Sequence, residues 1–324
     1  MYSLTANTQV ALLLTAPLID GPSESSSELL TPSEYRRLCS ILTKMNRQPG
    51  YLLETAENFP SELKTLVDDS RLKILLNRGF QLSQAMERWR SRAIWVVGHL
   101  DDHYPGRLTR HLRDHSPPIM YGSGNASLLD DGGLAVVGSR AVDEYLIDYT
   151  ENIGRMAARI QKSIVSGGAR GIDQAAMRGV LDAGGRAVGI LSDSLERAVL
   201  AKEHRSLIYD EKLTLVSPYD PAASFNVGHA MQRNKLIYAL SDLALVVNSD
   251  FEKGGTWAGA IEQLEKFHFV PVYVRSTGDL GKGLEMLKLR GARAWPNPTT
   301  PDQFQDVVTN SEPAPPYSEQ LSLL

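Results

Sequence analysis

The sequence has very little cysteine, no metal-binding pattern and no long apolar run. Its 324 residues include one cysteine, Cys39, which excludes an intramolecular disulfide framework and a site with several cysteine ligands. The histidines show no spacing of the HExxH kind, so we expect neither a metal nor another cofactor. The longest early apolar stretch, from Val10 to Ile19, is too short to cross a bilayer and lacks the basic flank of a secretory signal. These absences predict a cytoplasmic protein without a membrane segment.

Positive charge is not in excess either. The chain carries 34 Lys and Arg residues against 38 Asp and Glu residues, a formal net charge of −4. This balance excludes a uniformly basic coat, so a nucleic-acid partner would need a local basic patch. The sequence contains no GxxxxGK[ST] motif for ATP binding, no recognisable Ser-His-Asp set and no spaced pair of catalytic carboxylates. We therefore expect a binding protein rather than an enzyme.

The sequence does contain a regular alternation of short apolar strands and helical stretches from residue 134 onward. The predicted strands are Leu134–Val137, Ser163–Val165, Ala187–Leu191, Leu213–Ser217, Leu243–Asn248 and Phe269–Val274. Helical periodicity fills the spaces between them, for example over Glu144–Gln161 and Ile172–Ala183. This alternation predicts an α/β fold with an extended Rossmann-like, mostly parallel sheet and helices on both faces.

Three regions follow from composition and periodicity. Residues 1–92 are predicted to form an N-terminal segment and a small helical module, because Leu38, Ile41, Leu42 and Met45 recur at helical spacing. Residues 93–295, which begin with a strand-like stretch, are assigned to the Rossmann-like domain. Residues 296–324 contain six prolines and several acidic residues, and are predicted to be an extended tail.

Two glycine-punctuated loops, GSR at 138–140 and SGGARGID at 166–173, each follow a predicted strand and precede a predicted helix. Helix starts carry partial positive charge and unsatisfied N–H groups, so two such loops at one sheet edge are typical of a phosphate cradle. The alternative is that the glycines only permit tight turns. Asp173, in the first helical turn, is predicted to stabilise that turn. The predicted phosphate-binding residues here are Gly138, Ser139, Arg140, Ser166, Gly167, Gly168, Arg170 and Gly171.

A family resemblance covers about Tyr104 to Val274. It rests on these segments in order: YPGRL (104–108), PPIMYGSGN (117–125), AVVGSR (135–140), SGGARGID (166–173), and QRNKLIYALSD (232–242) followed by LALVV. Together they resemble the DprA/Smf family of DNA-processing proteins. The resemblance implies a homodimer with a basic pocket for single-stranded DNA at the carboxyl edge of the sheet. It also implies a role in recombination and DNA uptake, including loading of the RecA recombinase.

The resemblance also implies particular site residues. The phosphate-binding arginine of the family falls on Arg140, and its later basic pair falls on Arg233 and Lys235, which flank Asn234. Either Lys202 or Arg205 lies where the family often has a further basic residue, and Arg205 is taken as the site residue. Arg233 and Lys235 could instead be ordinary solvated charges. Two aromatic residues of the loop PYDPAASF, Tyr219 and Phe225, either stack on a base or anchor their loop.

The chain also departs from the family pattern. It has SDSLERA, GHAMQ and Asn248 where the family usually has Tyr-Pro, Phe-Pro and a glutamate. Too few residues follow position 295 for the winged-helix domain that is common in the family. We therefore expect a divergent member without that domain, and the pathway stays open between transformation, a mobile element and defence against phage.

Two further motifs suggest other functions. The segment KGGTWAGAIEQ at 253–263, with Glu262 in its helix, resembles the PGGxGTxxE loop of phosphoribohydrolases, so nucleotide binding or nucleoside monophosphate cleavage is the alternative function. The C-terminal QLSLL resembles the peptide by which replication and repair proteins bind the sliding clamp, and its leucines could instead fold back onto the protein or a dimer partner. The predicted clamp-binding residues are Gln320, Leu321, Leu323 and Leu324.

Overall fold

The structure is a computed structural model that describes residues 4–18, 29–55 and 59–311. These residues form two compact units. The first comprises the chain up to Ser123 together with Asp193–Leu200 and Ser217–Ser224, and the second comprises Gly124–Ser192, Ala201–Val216 and the chain from Phe225 onward. The first unit thus extends beyond residue 92, where the sequence placed a domain boundary.

Helices and strands alternate through most of the described chain. The helices are α1 (Ala6–Thr15), α2 (Pro32–Lys44), α3 (Tyr51–Glu54), α4 (Asp69–Leu76), α5 (Gly79–Ser91), α6 (Gly106–Leu112), α7 (Glu144–Arg159), α8 (Ile172–Asp182), α9 (Leu195–Leu200), α10 (Lys202–Tyr209), α11 (Val227–Ala239), α12 (Gly254–Glu262), α13 (Gly281–Leu289) and α14 (Pro301–Thr309). The strands are β1 (Trp95–Gly98), β2 (Ile119–Ser123), β3 (Leu134–Val137), β4 (Ile164–Ser166), β5 (Ala187–Ile190), β6 (Leu213–Ser217), β7 (Leu243–Val246), β8 (Val272–Val274) and β9 (Arg293–Ala294).

The second unit is built on seven parallel strands in the order β6-β5-β4-β3-β7-β8-β9. The chain moves outward from β3 through β4, β5 and β6, and then returns to the other side of β3 to form β7 and its neighbours. Because crossovers between parallel strands are right-handed, helices that follow opposite directions of travel lie on opposite faces. The predicted α/β class and mostly parallel sheet are confirmed.

The first unit contains helices α1–α6 and α9 and the antiparallel pair β1–β2. Helix α2 begins at a capping box in which Thr31 accepts from the Glu34 backbone and the Glu34 side chain accepts from Thr31. Leu38 and Leu42 are buried, as their spacing predicts. The apolar run that starts at Val10 lies largely in α1, whose side chains are mostly buried. Among the described helices, none has both the length and the apolar character needed to cross a membrane.

A buried arginine fixes backbone carbonyls in each unit. Arg78 donates to the carbonyl oxygens of Leu13, Ala16 and Pro17, which satisfies acceptors at the C-terminal end of α1. In the second unit, Arg275 donates from Nε to the Val247 carbonyl oxygen at 2.9 Å. It therefore holds the chain directly after β7, at the carboxyl edge of the sheet.

The region predicted to be an extended tail begins with ordered structure. Helix α14 follows an N-cap at Thr300 and starts with proline, and Phe304 is fully buried against Trp295. Proline is favourable at the first helical position, because the N–H that it lacks would have no acceptor within the helix there. The prediction of a proline-rich tail is therefore wrong for residues 301–309. The clamp-like residues 320–324 lie outside the described residues.

Candidate nucleic-acid interface

The second unit contains a cavity of about 680 Å³ at the carboxyl ends of β3, β4 and β7. Strand β3 lies where the strand order reverses, between β4 and β7. In open α/β sheets, ligands bind at this kind of topological switch point because the loops diverge there and leave a crevice. The cavity is lined by residues from the loops after β3, β4 and β7 and from α11.

The two glycine loops are packed against each other. Gly171 has φ +82°, and a Cβ at this position would lie 2.6 Å from the Ser139 carbonyl oxygen. A Cβ on Gly138 would lie 2.5 Å from the Ile172 side chain. Both distances are too short for a real contact, so glycine is required at each position. The glycines therefore serve close packing between the loops, a role that neither the phosphate-cradle nor the turn interpretation included.

Asp173 lies beneath the two loops and is 6% exposed. Its Oδ2 accepts from the Gly167 backbone N–H at 3.2 Å. Burial raises its pKa from 3.8 to about 6, against the lowering effects of Arg233 and of backbone N–H groups at Ala169, Gly167 and Gly138. N–H groups that the sequence assigned to a bound phosphate thus face a carboxylate of the protein itself. Asp173 joins both loops, whereas the sequence predicted only a helix cap.

Arg233 lies on α11 with only 4% of its surface exposed. A Cβ on Gly167 would lie 1.5 Å from Arg233 Nη1, which shows that the guanidinium rests directly on the glycine backbone. Its charge acts on Asp173 and lowers the pKa of that carboxyl group. The alternative that Arg233 is a solvated surface charge is therefore wrong, because the side chain is buried among the loops.

The segment after β7 forms a third wall of the cavity. Asn234 Nδ2 donates to the Gly255 carbonyl oxygen at 2.9 Å, and Thr256 Oγ1 donates to the Gly138 carbonyl oxygen at 2.9 Å. Asp250 and Lys253, both exposed, also line the cavity. The sequence analysis assigned Asn234 to the DNA site but not Thr256, Asp250 or Lys253. A signal was present, since Gly-Gly-Thr follows a strand of the same parallel sheet.

An apolar wall completes the cavity. Phe225, Val227 and Met231 are 52%, 64% and 45% exposed, yet all three line it. The Arg140 guanidinium carbon lies 5.2 Å from the centroid of the Phe225 ring, within the range of a cation–π contact. The cavity therefore places an exposed cation beside an exposed aromatic ring.

The predicted site residues separate into two groups. Those that line the cavity are Gly138, Ser139, Arg140, Arg233 and Asn234. Those that do not are Ser166, Gly167, Gly168, Arg170, Gly171, Arg205 and Lys235. Of these, Gly167, Gly168 and Gly171 belong to the second glycine loop, whose residues Ala169 and Asp173 do line the cavity.

The predicted polar residues that do not line the cavity lie in other surroundings. Ser166 is buried in the sheet, where its Oγ donates to the Val136 carbonyl oxygen at 2.6 Å. Arg170 and Arg205 are exposed outside the cavity, and Lys235 Nζ lies 3.3 Å from Gln232 Oε1.

The residues behind the alternative functions also lie away from the cavity. Glu262, on which the hydrolase alternative depends, ends α12 and pairs with Lys266 at 3.5 Å. It does not line the cavity. Tyr219, the second candidate for base stacking, belongs to the first unit. Of the two aromatic candidates, only Phe225 is placed at the site.

Comparison with known proteins identifies relatives of this chain. DNA processing protein DprA of Streptococcus pneumoniae is 30% identical over 217 residues, which cover 64% of this chain and 75% of that protein. A putative DNA processing protein DprA of Mycobacterium tuberculosis is 30% identical over 155 residues, which span 45% of this chain and 40% of the relative's length.

Solved structures establish the fold. That of DprA from Streptococcus pneumoniae has a TM-score of 0.69 at 21% identity, with 96% of this chain and 99% of that chain covered. That of DNA processing protein A from Helicobacter pylori, described for its single-stranded DNA binding mode, has a TM-score of 0.55 at 23% identity and covers 68% of this chain and 97% of its own.

The family model for DNA recombination-mediator protein A matches residues 95–300, which include the whole cavity. This match spans more than half of the chain, and the relatives agree with it. The protein therefore belongs to the DNA recombination-mediator protein A family.

Proposed function

We propose that this protein binds single-stranded DNA in the cavity of the second unit and acts in recombination or in the processing of incoming DNA. The observation that carries the proposal is the contact of Arg140 with Phe225 in the wall of the cavity. A nucleotide presents both a charged phosphate and a flat base, and this pair offers a partner for each. Membership of the family and the single-stranded DNA binding mode described for the Helicobacter pylori relative support the choice of ligand.

Phosphate recognition depends on the exposed cations rather than on the buried one. Arg140 and Lys253 reach the cavity from different loops, and both are exposed. The charge of Arg233 is directed at Asp173. We therefore assign phosphate contacts to Arg140 and Lys253, with the polar loop residues Ser139 and Thr256 beside them.

Base recognition depends on the apolar wall. Phe225, Val227 and Met231 expose large apolar areas on the cavity side of α11 and the residues before it. Stacking of a base on an aromatic ring contributes about 1–3 kcal/mol and does not depend on base identity. Only a single strand can present the face of a base, because neighbouring pairs cover that face in a duplex. The wall therefore favours single-stranded over double-stranded DNA.

Titration with labelled oligo-dT and with a duplex of equal length tests this proposal. The wild-type protein should bind the single strand more tightly, and Phe225→Ala should weaken that binding by about 5- to 150-fold, the equivalent of 1–3 kcal/mol. The matched control is Tyr209→Ala, which removes an aromatic ring that is 88% exposed on α10, outside the cavity, and should change nothing. Equal affinity for both DNA forms together with no effect of Phe225→Ala would contradict the proposal.

The same samples test the hydrolase alternative. Nucleoside monophosphates incubated with the wild-type protein should release no free base, since Glu262 does not line the cavity. Enzyme-dependent release that disappears in Glu262→Gln would replace our proposal with nucleotide cleavage. Loading of RecA, formation of a homodimer and binding of the sliding clamp stay proposals that rest on sequence resemblance.

A further inference from the structure

A second concentration of basic side chains lies in the first unit, on residues that the cavity does not use. Residues 103–115 contain three arginines and three histidines against one aspartate. Four of the seven histidines of the chain fall between positions 99 and 115. Among the residues that the structure describes, no group of three or more His, Cys, Asp or Glu side chains is placed to hold a metal. The formal positive charge of this segment therefore comes from its three arginines.

The fold brings this segment against a further arginine. Leu108 and Leu112 are buried and anchor α6 in the first unit. Arg110 of the same helix is exposed. Arg36 of α2 lies with its Nη1 3.1 Å from Nδ1 of His115, so two basic groups are in hydrogen-bonding contact. Burial lowers the pKa of His111, and the nearby charges of Arg107 and Arg110 lower it further. The lowered pKa keeps His111 uncharged at neutral pH, so the positive charge here comes from the arginines.

The backbone supports a functional role for one of these residues. Arg113 ends α6 with φ 49° and ψ −126°, a conformation that glycine adopts with less strain. Strained non-glycine residues cluster at functional sites. Arg110 and Arg113 are both exposed, and neither forms an ion pair with a carboxylate within the described ranges. Their charges therefore face solvent.

We propose that this basic α6 surface, made of Arg36, Arg110, Arg113 and His115, binds the phosphate backbone of nucleic acid as a second site. Arginine is the side chain best suited to phosphate oxygens, because its planar guanidinium donates two parallel hydrogen bonds. The net charge of the chain is −4, so such binding has to come from a local concentration of this kind. The choice of nucleic acid as ligand rests on the proposed function, but the site belongs to the first unit and shares no residue with the cavity.

The test combines two pairs of substitutions in the full-length protein, with oligo-dT as the probe. Arg110→Gln with Arg113→Gln removes charge from the basic α6 surface, and Arg140→Gln with Lys253→Gln removes it from the cavity. A matched control, Arg90→Gln with Arg197→Gln, removes two other exposed arginines of the first unit. Each single-strand phosphate contact contributes about 0.7 to the slope of log K against log salt. The α6 pair removes two such contacts and so about 1.4 from the slope, which corresponds to a loss of about 25-fold in the affinity of the basic α6 surface at about 0.1 M salt.

Each outcome has a distinct meaning. In the variant whose cavity charges are removed, the remaining binding comes from the basic α6 surface, and the α6 proposal predicts the loss of about 25-fold in that background. If the α6 pair binds DNA like its Arg90/Arg197 control, the second site does not exist, whatever the cavity variant does. If polyglutamate of similar length displaces oligo-dT from the basic α6 surface at equal concentration, the surface is a site for acidic peptides and the nucleic-acid assignment is wrong. Loss in the α6 pair alone would keep this proposal and reject the cavity.

Discussion

Arg140 and Arg233 line the same cavity and carry the same charge, but their surroundings differ. Arg233 is almost completely buried, rests on the Gly167 backbone and acts on the carboxylate of Asp173. Arg140 is exposed and lies over the ring of Phe225. The buried arginine supports the loops from within, whereas the exposed one is accessible to a ligand. A basic residue at a binding site can therefore act on the site's shape or on the ligand, and burial distinguishes the two roles.

The same contrast bears on how a chain with net negative charge would bind the anion that we propose. Asp173 already occupies the N–H groups beneath the loops, and Arg233 offsets its charge inside the protein. In our proposal, the attraction for a phosphate then comes from Arg140 and Lys253, which line the cavity. Three predictions, in order of expected effect, test whether Arg233 and Asp173 support the loops while Arg140 contacts the ligand.

The largest effect is expected for Arg233→Met. Removing one member of a buried charge pair leaves the other without compensation, which costs about 3–5 kcal/mol in the free energy of unfolding. Arg140→Met should stay within about 0.5 kcal/mol of the wild type because the side chain is exposed. Chemical denaturation at neutral pH measures both. In addition, Asp173→Asn should recover part of the loss in the Arg233→Met background, and equal losses for the two arginine variants would contradict the contrast.

A smaller loss of stability is expected for Gly171→Ala. Alanine at φ +82° is strained, and its Cβ would meet the Ser139 carbonyl oxygen at 2.6 Å, so we expect a loss of about 1–3 kcal/mol. Gly184 is a matched control, because its φ is +80° and nothing lies within 4 Å of a Cβ there. Thermal unfolding should show a greater loss for Gly171→Ala than for Gly184→Ala. Similar losses would mean that the two loops are not tightly packed.

The smallest effect concerns pH. The folded-state pKa of Asp173 is about 6 and its ordinary value is 3.8, so the folded protein binds more protons between these values. Its contribution to stability is therefore greatest at low pH and is lost as pH rises through about 6. Between neutral pH and pH about 5, the wild type should gain about 1 kcal/mol relative to Asp173→Asn. Parallel pH profiles for the two proteins would show that Asp173 has an ordinary pKa.

The fold was predictable where the local pattern was unambiguous. Strands β3 and β6 have the predicted bounds, and α7 and α8 begin at the predicted residues, because apolar runs and helical spacing determine these elements locally. Several elements were missed, β9 and α14 among them. Strand β9 has only two residues, and α14 lies in a proline-rich segment although Phe304 anchors it in the core.

The site was predictable in position but only partly in detail. Two glycine loops after neighbouring strands indicated the sheet edge, and the cavity lies there. A sequence identifies a basic residue but not the direction of its side chain. The sequence alone therefore could not show that Arg233 is buried or that Arg170 is exposed outside the cavity. The contribution of Thr256 depends on a contact with Gly138, 118 positions away in the sequence. Such long-range pairings are set by tertiary packing.

The salt dependence of oligo-dT binding tests the central claim most directly, with Arg140→Gln and Arg170→Gln compared with the wild type. Both arginines are exposed and lie in the glycine loops, but only Arg140 lines the cavity. The account predicts that Arg140→Gln lowers the slope of log K against log salt by about 0.7 and weakens binding about fivefold at about 0.1 M salt. It predicts no change for Arg170→Gln. Equal effects of the two substitutions, or none from Arg140→Gln, would contradict the claim that the cavity is the DNA site.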